Sequence, residues 1–483
     1  MRAIRVRVDQ IDFISINDCH IVKKINQHGS ARITGVIDET DQQKCLSLAT
    51  SEAYLKVFAV GERQEECIFN GFIEDIEIQS DDIKTVTLWL STGSKMLDLK
   101  HRTRTFQNVA MTYQQMFRSN EALNGDVKAQ SIFLTDGSSA IGNLIVQYKE
   151  TDWEFARRMA SNLHTFIRPE YKLADAKYYV GLNEGQVPKL KPKDFHNYTV
   201  KKVVNDYEIQ TREYKLPIGK EDAFVYIFES REIFELGDCI DIGIAKKMYV
   251  YQATYFYEGE ELMARYYLRT KNGFLVGTFY NKDITGASLS GTIAGVTKDQ
   301  VSLVLSVDKE YKDHGEKNFP YSTVYSSPDG TGWYCMPEIG DKVRLYFPTE
   351  KEKNAYVISS VHLEVSDVEG DSSGSADTPP RSDPSSKSLK NSAGKEIVFT
   401  PTSLSIINPA VGSIVLDDSE GITIKSAKSI RMKAGEFVEV HSMNKDINIT
   451  AKEALTVAQG NTRLVLKDDV LIKGAKLKLQ EKG

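Results

Sequence analysis

Ser413-Ile-Val-Leu-Asp-Asp-Ser-Glu-Gly-Ile-Thr-Ile-Lys-Ser-Ala-Lys-Ser-Ile-Arg-Met-Lys-Ala-Gly-Glu-Phe-Val-Glu-Val440 is the stretch that decides the fold. Ile414, Ile422, Ile430 and Val438 stand eight positions apart, and Leu416, Ile424, Met432 and Val440 keep the same step two places on. The pattern continues less regularly through Ile447/Ile449, Leu455/Val457, Leu464/Leu466, Val470/Ile472 and Leu477/Leu479. Each unit is an apolar-x-apolar triplet, which reads as a very short strand showing one face to a core. The few residues between triplets suffice only for a tight corner. A short repeat with one apolar face per unit predicts stacking into a β-solenoid or β-helix.

Two apolar residues per unit make a stripe too thin to fill a three-walled solenoid of one chain. Three intertwined chains would bury the stripe on a common axis and leave few open edges. The expected trimer core is therefore Ile414, Leu416, Ile422, Ile424, Ile430, Met432, Val438 and Val440. With a rise of ~5 Å per unit, about ten units make a rod of ~50 Å, longer than the ~30 Å hydrocarbon core of a bilayer. An adhesive stalk or a single-chain solenoid is the alternative. His441 follows inward-facing Val440 and is expected to point outward, away from any metal on the axis.

The chain has 483 residues, enough for two to four domains, and 41% of them are hydrophobic, as in globular proteins. A net charge of −6 implies no broad basic surface for nucleic acid. The five cysteines (Cys19, Cys45, Cys67, Cys239, Cys335) lack paired spacing, which argues against a disulfide framework or a zinc site. Met1–Val8 alternates charge and apolarity and reads as a strand rather than a secretory signal. Assembly in the cytoplasm without a membrane anchor is expected.

Working back from the repeat, residues 366–393 are rich in Ser and Pro and read as a linker. The spike is assigned to 394–483. Residues 285–365 alternate in short segments (Gly291–Val296, Val301–Val307, Asp341–Phe347, Ala355–Val361) and fit an OB-like barrel. Residues 1–284 read as two β-barrel lobes around a small helical insert. One hairpin pairs Ile73–Ile78 with Val86–Leu90, and another is expected to join Ala264–Leu268 to Phe274–Val276 across Asn272-Gly273. One helix is expected near Thr105–Phe117, where Phe106, Val109, Tyr113 and Met116 share a face. A second starts at Thr151-Asp-Trp-Glu154, a capping box followed by the buried stripe Phe155, Met159 and Leu163.

Several of these stretches resemble one known family. Tyr148-Lys-Glu-Thr-Asp-Trp-Glu-Phe-Ala-Arg-Arg-Met-Ala160 is similar to the helix motif of the VgrG-type hub-and-spike proteins of contractile injection systems, relatives of phage tail baseplate hubs. Phe69-Asn-Gly-Phe-Ile73, Arg104-Thr-Phe-Gln107, Gly332-Trp-Tyr-Cys-Met-Pro-Glu-Ile-Gly-Asp-Lys-Val343 and Asn391-Ser-Ala-Gly-Lys-Glu-Ile397 resemble further family segments. The resemblance implies a homotrimer whose six barrels form a pseudo-sixfold hub on a hexameric tube protein. It also implies baseplate contacts, a collar formed by the OB domain, a puncturing β-helix that crosses the target membrane transiently, and effector cargo. A PAAR-like tip protein would cover the end at Leu477 and Leu479. The turn Pro348-Thr-Glu-Lys-Glu-Lys-Asn354 departs from the acidic turn of secretion-type members, so a phage-tail-like or extracellular particle stands beside type VI secretion.

Catalytic constellations are not legible. Gly286-Ala-Ser-Leu-Ser290 misses the nucleophile-elbow pattern at its last residue, and Gly330-Thr-Gly332 has no helix pattern after it. None of the eight histidines makes a ligand-spaced pair. No enzyme activity, cofactor or metal is expected. A glycan-binding or glycan-degrading β-helix is the alternative in another class, and against it the outward middle positions of the triplets hold no aromatic residue and one acidic residue, Glu439.

Overall fold

Arg5–Val8 (β1) faces Arg5 and Arg7 outward and buries Val6 and Val8, the period-two pattern of a half-covered strand. In the computed structural model it is the edge of a large antiparallel sheet. The structure describes residues 5–49, 53–62, 64–125, 127–183, 198–243, 246–258, 261–308, 317–327, 331–358, 384–466, 476 and 478. The chain divides into two units, residues 1–364 and 365–483.

In the first unit β1 is followed by β2 (Phe13–Lys24), β3 (Ser30–Ile37), helix α1 (Gln42–Leu48), β4 (Tyr54–Val60), β5 (Glu65–Ser80) and β6 (Lys84–Ser91). The insert then contributes β7 (Arg102–Phe106), α2 (Tyr113–Ala122), β8 (Ala129–Phe133), β9 (Ile145–Glu150), α3 (Asp152–Asn162), β10 (Ile167–Pro169) and β11 (Ala176–Val180). A second strand group follows: β12 (Thr199–Lys202), α4 (Val204–Arg212), β13 (Phe224–Ser230), β14 (Cys239–Ile240), β15 (Met248–Glu258) and β16 (Glu261–Thr270).

The two strand groups on either side of the insert join edge to edge. Sheet order is β1-β4-β5-β6-β3-β2-β15-β16-β13-β12, with β14 on β15, and the joining pair is β2 with β15. Inward residues from both groups, among them Ile21, Ile33, Val57, Phe69, Leu88, Ala253, Tyr255 and Tyr266, fill one core. The insert has its own core around Phe106, Met116, Phe117, Trp153, Phe155, Met159 and Tyr178. It is walled by the β7–β9 pair and the sheet β10-β11-β8.

Two local expectations are overturned here. The helix expected near Thr105–Phe117 begins only at Tyr113, because Thr112 and Gln115 form a capping box that fixes its start. Phe106 instead ends a strand whose backbone pairs with β9. The hairpin expected across Asn272-Gly273 does not form. Lys271–Phe274 is one turn of 3₁₀ helix, capped by Thr270 Oγ1 accepting from Gly273 N. Both edges of β16 are already taken by β15 and β13, so Phe274–Val276 has no ladder to join. The hairpin of Ile73–Ile78 with Val86–Leu90 is present as the β5–β6 pair.

The last part of this unit holds β17 (Ser288–Thr297), β18 (Gln300–Leu305), β19 (Asn318–Pro320), β20 (Lys342–Tyr346) and β21 (Tyr356–Ile358). Their order is β19-β18-β17-β20-β21, and a bridge from Tyr321 to Val357 brings the two edges together around Ile293, Leu303, Phe319, Leu345 and Val357. Leu144 and Val146 of the insert belong to the same core, so barrel and insert are packed as one body.

The second unit contains an antiparallel meander of β22 (Lys387–Lys390), β23 (Glu396–Phe399), β24 (Ser403–Asn408), β25 (Gly412–Asp417) and β26 (Gly421–Ser426), and a hairpin of β27 (Leu455–Gln459) with β28 (Thr462–Leu466). Its corners follow from side-chain chemistry. Asp417 accepts from the backbone N of Ser419 and Glu420, and Gly421 closes the turn with φ +83°. At Gly412 a Cβ would lie 2.0 Å from the carbonyl oxygen of Lys425, so only glycine fits. The linker expected through residue 393 ends earlier, since Lys387–Lys390 pairs in register with Glu396–Phe399. Its residues 366–383 lie outside the described residues.

Candidate functional site

The meander sets the repeat in a definite register. Ile414 pairs with Ile406 on one side and Ile424 on the other, and Leu416 pairs with Leu404 and Ile422. Upstream, Ile397 pairs with Ile406 and Leu389, and Phe399 with Leu404. Because side chains alternate across a strand, these pairs place one unbroken apolar row on one face. No second layer covers it among the described residues of the unit: Ile422 is 71% exposed, Ile424 55%, and Ile414 and Leu416 about 40%. Val398 is the only fully buried hydrophobic residue of this unit among the described residues. Full burial of each such side chain contributes about 1.5–3 kcal/mol, so the row is a large store of unspent hydrophobic energy.

Ile430, Met432, Val438 and Val440 are also exposed, but residues 427–454 carry no strand among the described residues. A strand needs a neighbour to take its N–H and C=O groups, and the described residues supply none there. The other sequence-derived positions, Leu477 and Leu479, lie outside the described residues. His441 is exposed, and no group of three metal-ligating side chains occurs among the described residues.

The Glu150–Ala160 motif is a positioning device, and each of its residue types has a task. Thr151 Oγ1 accepts from Glu154 N while Glu154 takes Thr151 N, starting α3. Asp152, 5% exposed, accepts from Arg102, Arg104, Gln147 and Asn120 at 2.9–3.3 Å. Trp153 lies against the His28 ring at 4.4 Å and the Tyr178 ring at 5.9 Å. Arg158 is buried, forks onto both oxygens of Glu150 at 2.7 Å, reaches Glu352 of the barrel at 2.8 Å and donates to the carbonyl of Val146 at 2.6 Å. Burial works against its charge, but the two carboxylates outweigh that and hold its pKa above the ordinary arginine value. A second tie, Thr105 to Asp308, runs from the insert to the same barrel.

Two clusters were not legible in the sequence. Lys23 is fully buried, 2.8 Å from Glu235, with the rings of Tyr171 and Tyr255 about 5 Å away. Burial pushes the Glu235 carboxyl up, and Lys23 and Lys172 outweigh it, so its pKa is lowered. The usable signal was the period of β2: Cys19, Ile21 and Lys23 share the inward face. The other cluster is a relay from Ser94 Oγ to His28 Nδ1 and from His28 Nε2 to Asp98, each 2.8 Å, with Thr151 Oγ1 on the second Asp98 oxygen at 2.6 Å. It has the residue types of a hydrolase triad. Ser94 is only 1% exposed, however, and bonds to Thr92, so no substrate carbonyl reaches it. The relay ties the first strand group to the start of α3.

As a sequence, the chain matches no protein-family model and no curated protein. Its fold does have solved counterparts. The Francisella PdpA–VgrG complex matches in its lidded form with a TM-score of 0.54 at 11% identity, over 85% of this chain and 76% of that one. The half-lidded form gives 0.53 at 12% identity, over 87% of each chain. This is the fold of the VgrG-type hub proteins. The E. coli c3393 protein agrees, with a TM-score of 0.51 at 12% identity over 73% of this chain and 99% of that one. It is described as a component of the type VI secretion system with structural similarity to the T4 bacteriophage tail proteins gp27 and gp5. The fold is thus mainly β and VgrG-type, and a secretion-system component is among its neighbours. No helix among the described residues is long and apolar enough to cross a membrane.

Proposed function

We propose that the chain is the hub and puncturing spike of a contractile injection particle and works as a homotrimer without enzymatic activity. The observation that carries the reading is the bare apolar row of the second unit, which has almost no core of its own among the described residues. Three copies wound about one axis would cover the row and supply neighbours for the unpaired repeats at Ile430/Met432 and Val438/Val440. The likeness of the fold to VgrG-type structures supports the same arrangement.

In this reading residues 1–284 form the hub that docks on a hexameric tube protein and the baseplate, and 285–365 form an OB collar. The wound spike starts at Lys387 rather than 394 and adds Leu389, Ile397, Phe399, Leu404 and Ile406 to the trimer core. Leu477 and Leu479 would meet a PAAR-like tip protein, with effectors carried on the assembly. The particle would be built in the bacterial cytoplasm and would cross the target membrane on contraction. Electron microscopy of the purified full-length chain tests this: threefold heads bearing a stiff rod are expected. Single heads trailing a flexible tail would refute it.

A further inference from the structure

Arg157 and Arg158 are neighbours with opposite fates. Arg158 is surrounded by acceptors, whereas Arg157 has no hydrogen-bond or ion-pair partner among the described residues, and its Nε–H is closed off from solvent and unsatisfied. A buried donor left unmade is expensive, and a guanidinium presents its donors as a fork shaped for an oxyanion. Arg157 opens onto a groove of about 430 Å³ lined by the insert and by Phe279–Asp283.

The charges lining that groove are unbalanced once existing bonds are counted. Glu150 is committed to Arg158, and one oxygen of Glu154 to the backbone of Thr151. Lys149, Lys282 and Arg157 remain on the basic side, opposed by Asp283 and by Glu154, whose charge the Thr151 N–H does not cancel, which leaves an excess of one positive charge. Lys149 reaches the groove by an independent distortion. The β7–β9 ladder skips it, pairing Arg102 with Glu150 and Thr103 with Tyr148, so Lys149 is the extra residue of a β-bulge. Its φ is +50°, a conformation a lysine adopts at a cost. Bulges of this kind re-aim a side chain, and here the Lys149 ammonium stands 5.3 Å from the Tyr148 ring at the groove.

We propose that this groove is an oxyanion-binding site, with the Arg157 guanidinium as anchor and Lys149 and Lys282 as supporting charges. The ligand is a phosphate or a carboxylate, either free in solution or carried by an acidic side chain of a second copy of the chain. Asp81 and Asp82 at the exposed β5–β6 turn are two such side chains.

The test uses the full-length chain with inorganic phosphate as probe, at low ionic strength because exposed charges are screened by salt. Two quantities are read: saturable binding of phosphate by calorimetry, and the assembly state by sedimentation with and without phosphate. Saturable binding that Arg157→Gln weakens about tenfold, that Arg157→Lys weakens less, and that Arg212→Gln leaves unchanged supports the site. Arg212 is a suitable control because it lies exposed on α4, paired with Glu208. If phosphate also loosens assembly, the natural ligand is a carboxylate of a second copy; if assembly is indifferent, it is a free ion. Absence of phosphate binding with assembly lost in Arg157→Gln likewise supports the second-copy source, provided the variant unfolds at the parent's temperature. Binding that survives Arg157→Gln overturns the proposal, as does an absence of binding with assembly unchanged in that variant.

Discussion

Arg158→Met removes one of the side chains that join the insert to the barrel, and its cost can be worked from the contacts. The guanidinium makes two bonds to Glu150, one to Glu352 and one to the Val146 carbonyl, all between 2.6 and 2.8 Å. Methionine fills much of the same volume, so cavity formation is a minor part of the effect. The larger part is that the largely buried Glu150 is left charged without a counter-ion. Removing one partner of a buried pair costs about 3–5 kcal/mol. Glu352→Ala cuts a single charge-assisted bond and is expected to cost less, about 1.5–3 kcal/mol. Guanidinium unfolding of the full-length chain, followed by Trp153 fluorescence in a Trp89→Phe, Trp333→Phe background, measures both. The double variant should cost less than the sum, because both changes remove the same Arg158–Glu352 bond. A cost below about 1 kcal/mol for Arg158→Met would refute the view that this ion cluster fastens the barrel to the insert.

Three further outcomes follow from the same geometry. Ile424→Asp brings three carboxylates to one axis, each costing several kcal/mol if desolvated and unpaired; trimers should be lost in gel filtration, and trimers that survive heat would show that the inward register is wrong. Glu235→Gln strands the ammonium of Lys23 and should lower stability by about 3–5 kcal/mol in denaturant melts, while Lys23→Met in the same chain recovers most of the loss. Asp98 is pushed up by burial, but hydrogen bonds from His28 and Thr151 outweigh it, so its folded pKa lies below the ordinary carboxylate value. Its contribution to stability is therefore complete above the unfolded value of ~3.9 and is lost as pH falls through the lower folded value. Asp98→Asn should accordingly flatten the acid limb of the thermal midpoint plotted against pH, and an unchanged limb would contradict the relay.

Local chemistry made some of these elements legible in the sequence. The Thr151–Glu154 capping box and the β5–β6 hairpin are fixed by residues near one another in the chain, and both are present in the structure. Failures came where a distant partner decided the outcome. Asn272-Gly273 is a strong turn signal, yet β16 had both edges occupied by strands that the dipeptide cannot reveal. Phe106 sits at helical spacing from Tyr113, but its backbone belongs to a ladder with β9, and Thr112 starts the helix later. The Arg158–Glu352 and Lys23–Glu235 pairs span the chain, so no local pattern announces them. The eight-residue repeat predicted a one-sided apolar row, and the β24–β26 register displays one. Among the described residues that row stays exposed to solvent.

The mass of the protein in solution tests the threefold account most directly. Each chain weighs 54.3 kDa. Native mass spectrometry, or light scattering on a gel-filtration column, should give one species of three chains that persists on dilution. A species with the mass of one chain, stable and monodisperse with the Ile414–Ile424 row still open to water, would contradict it.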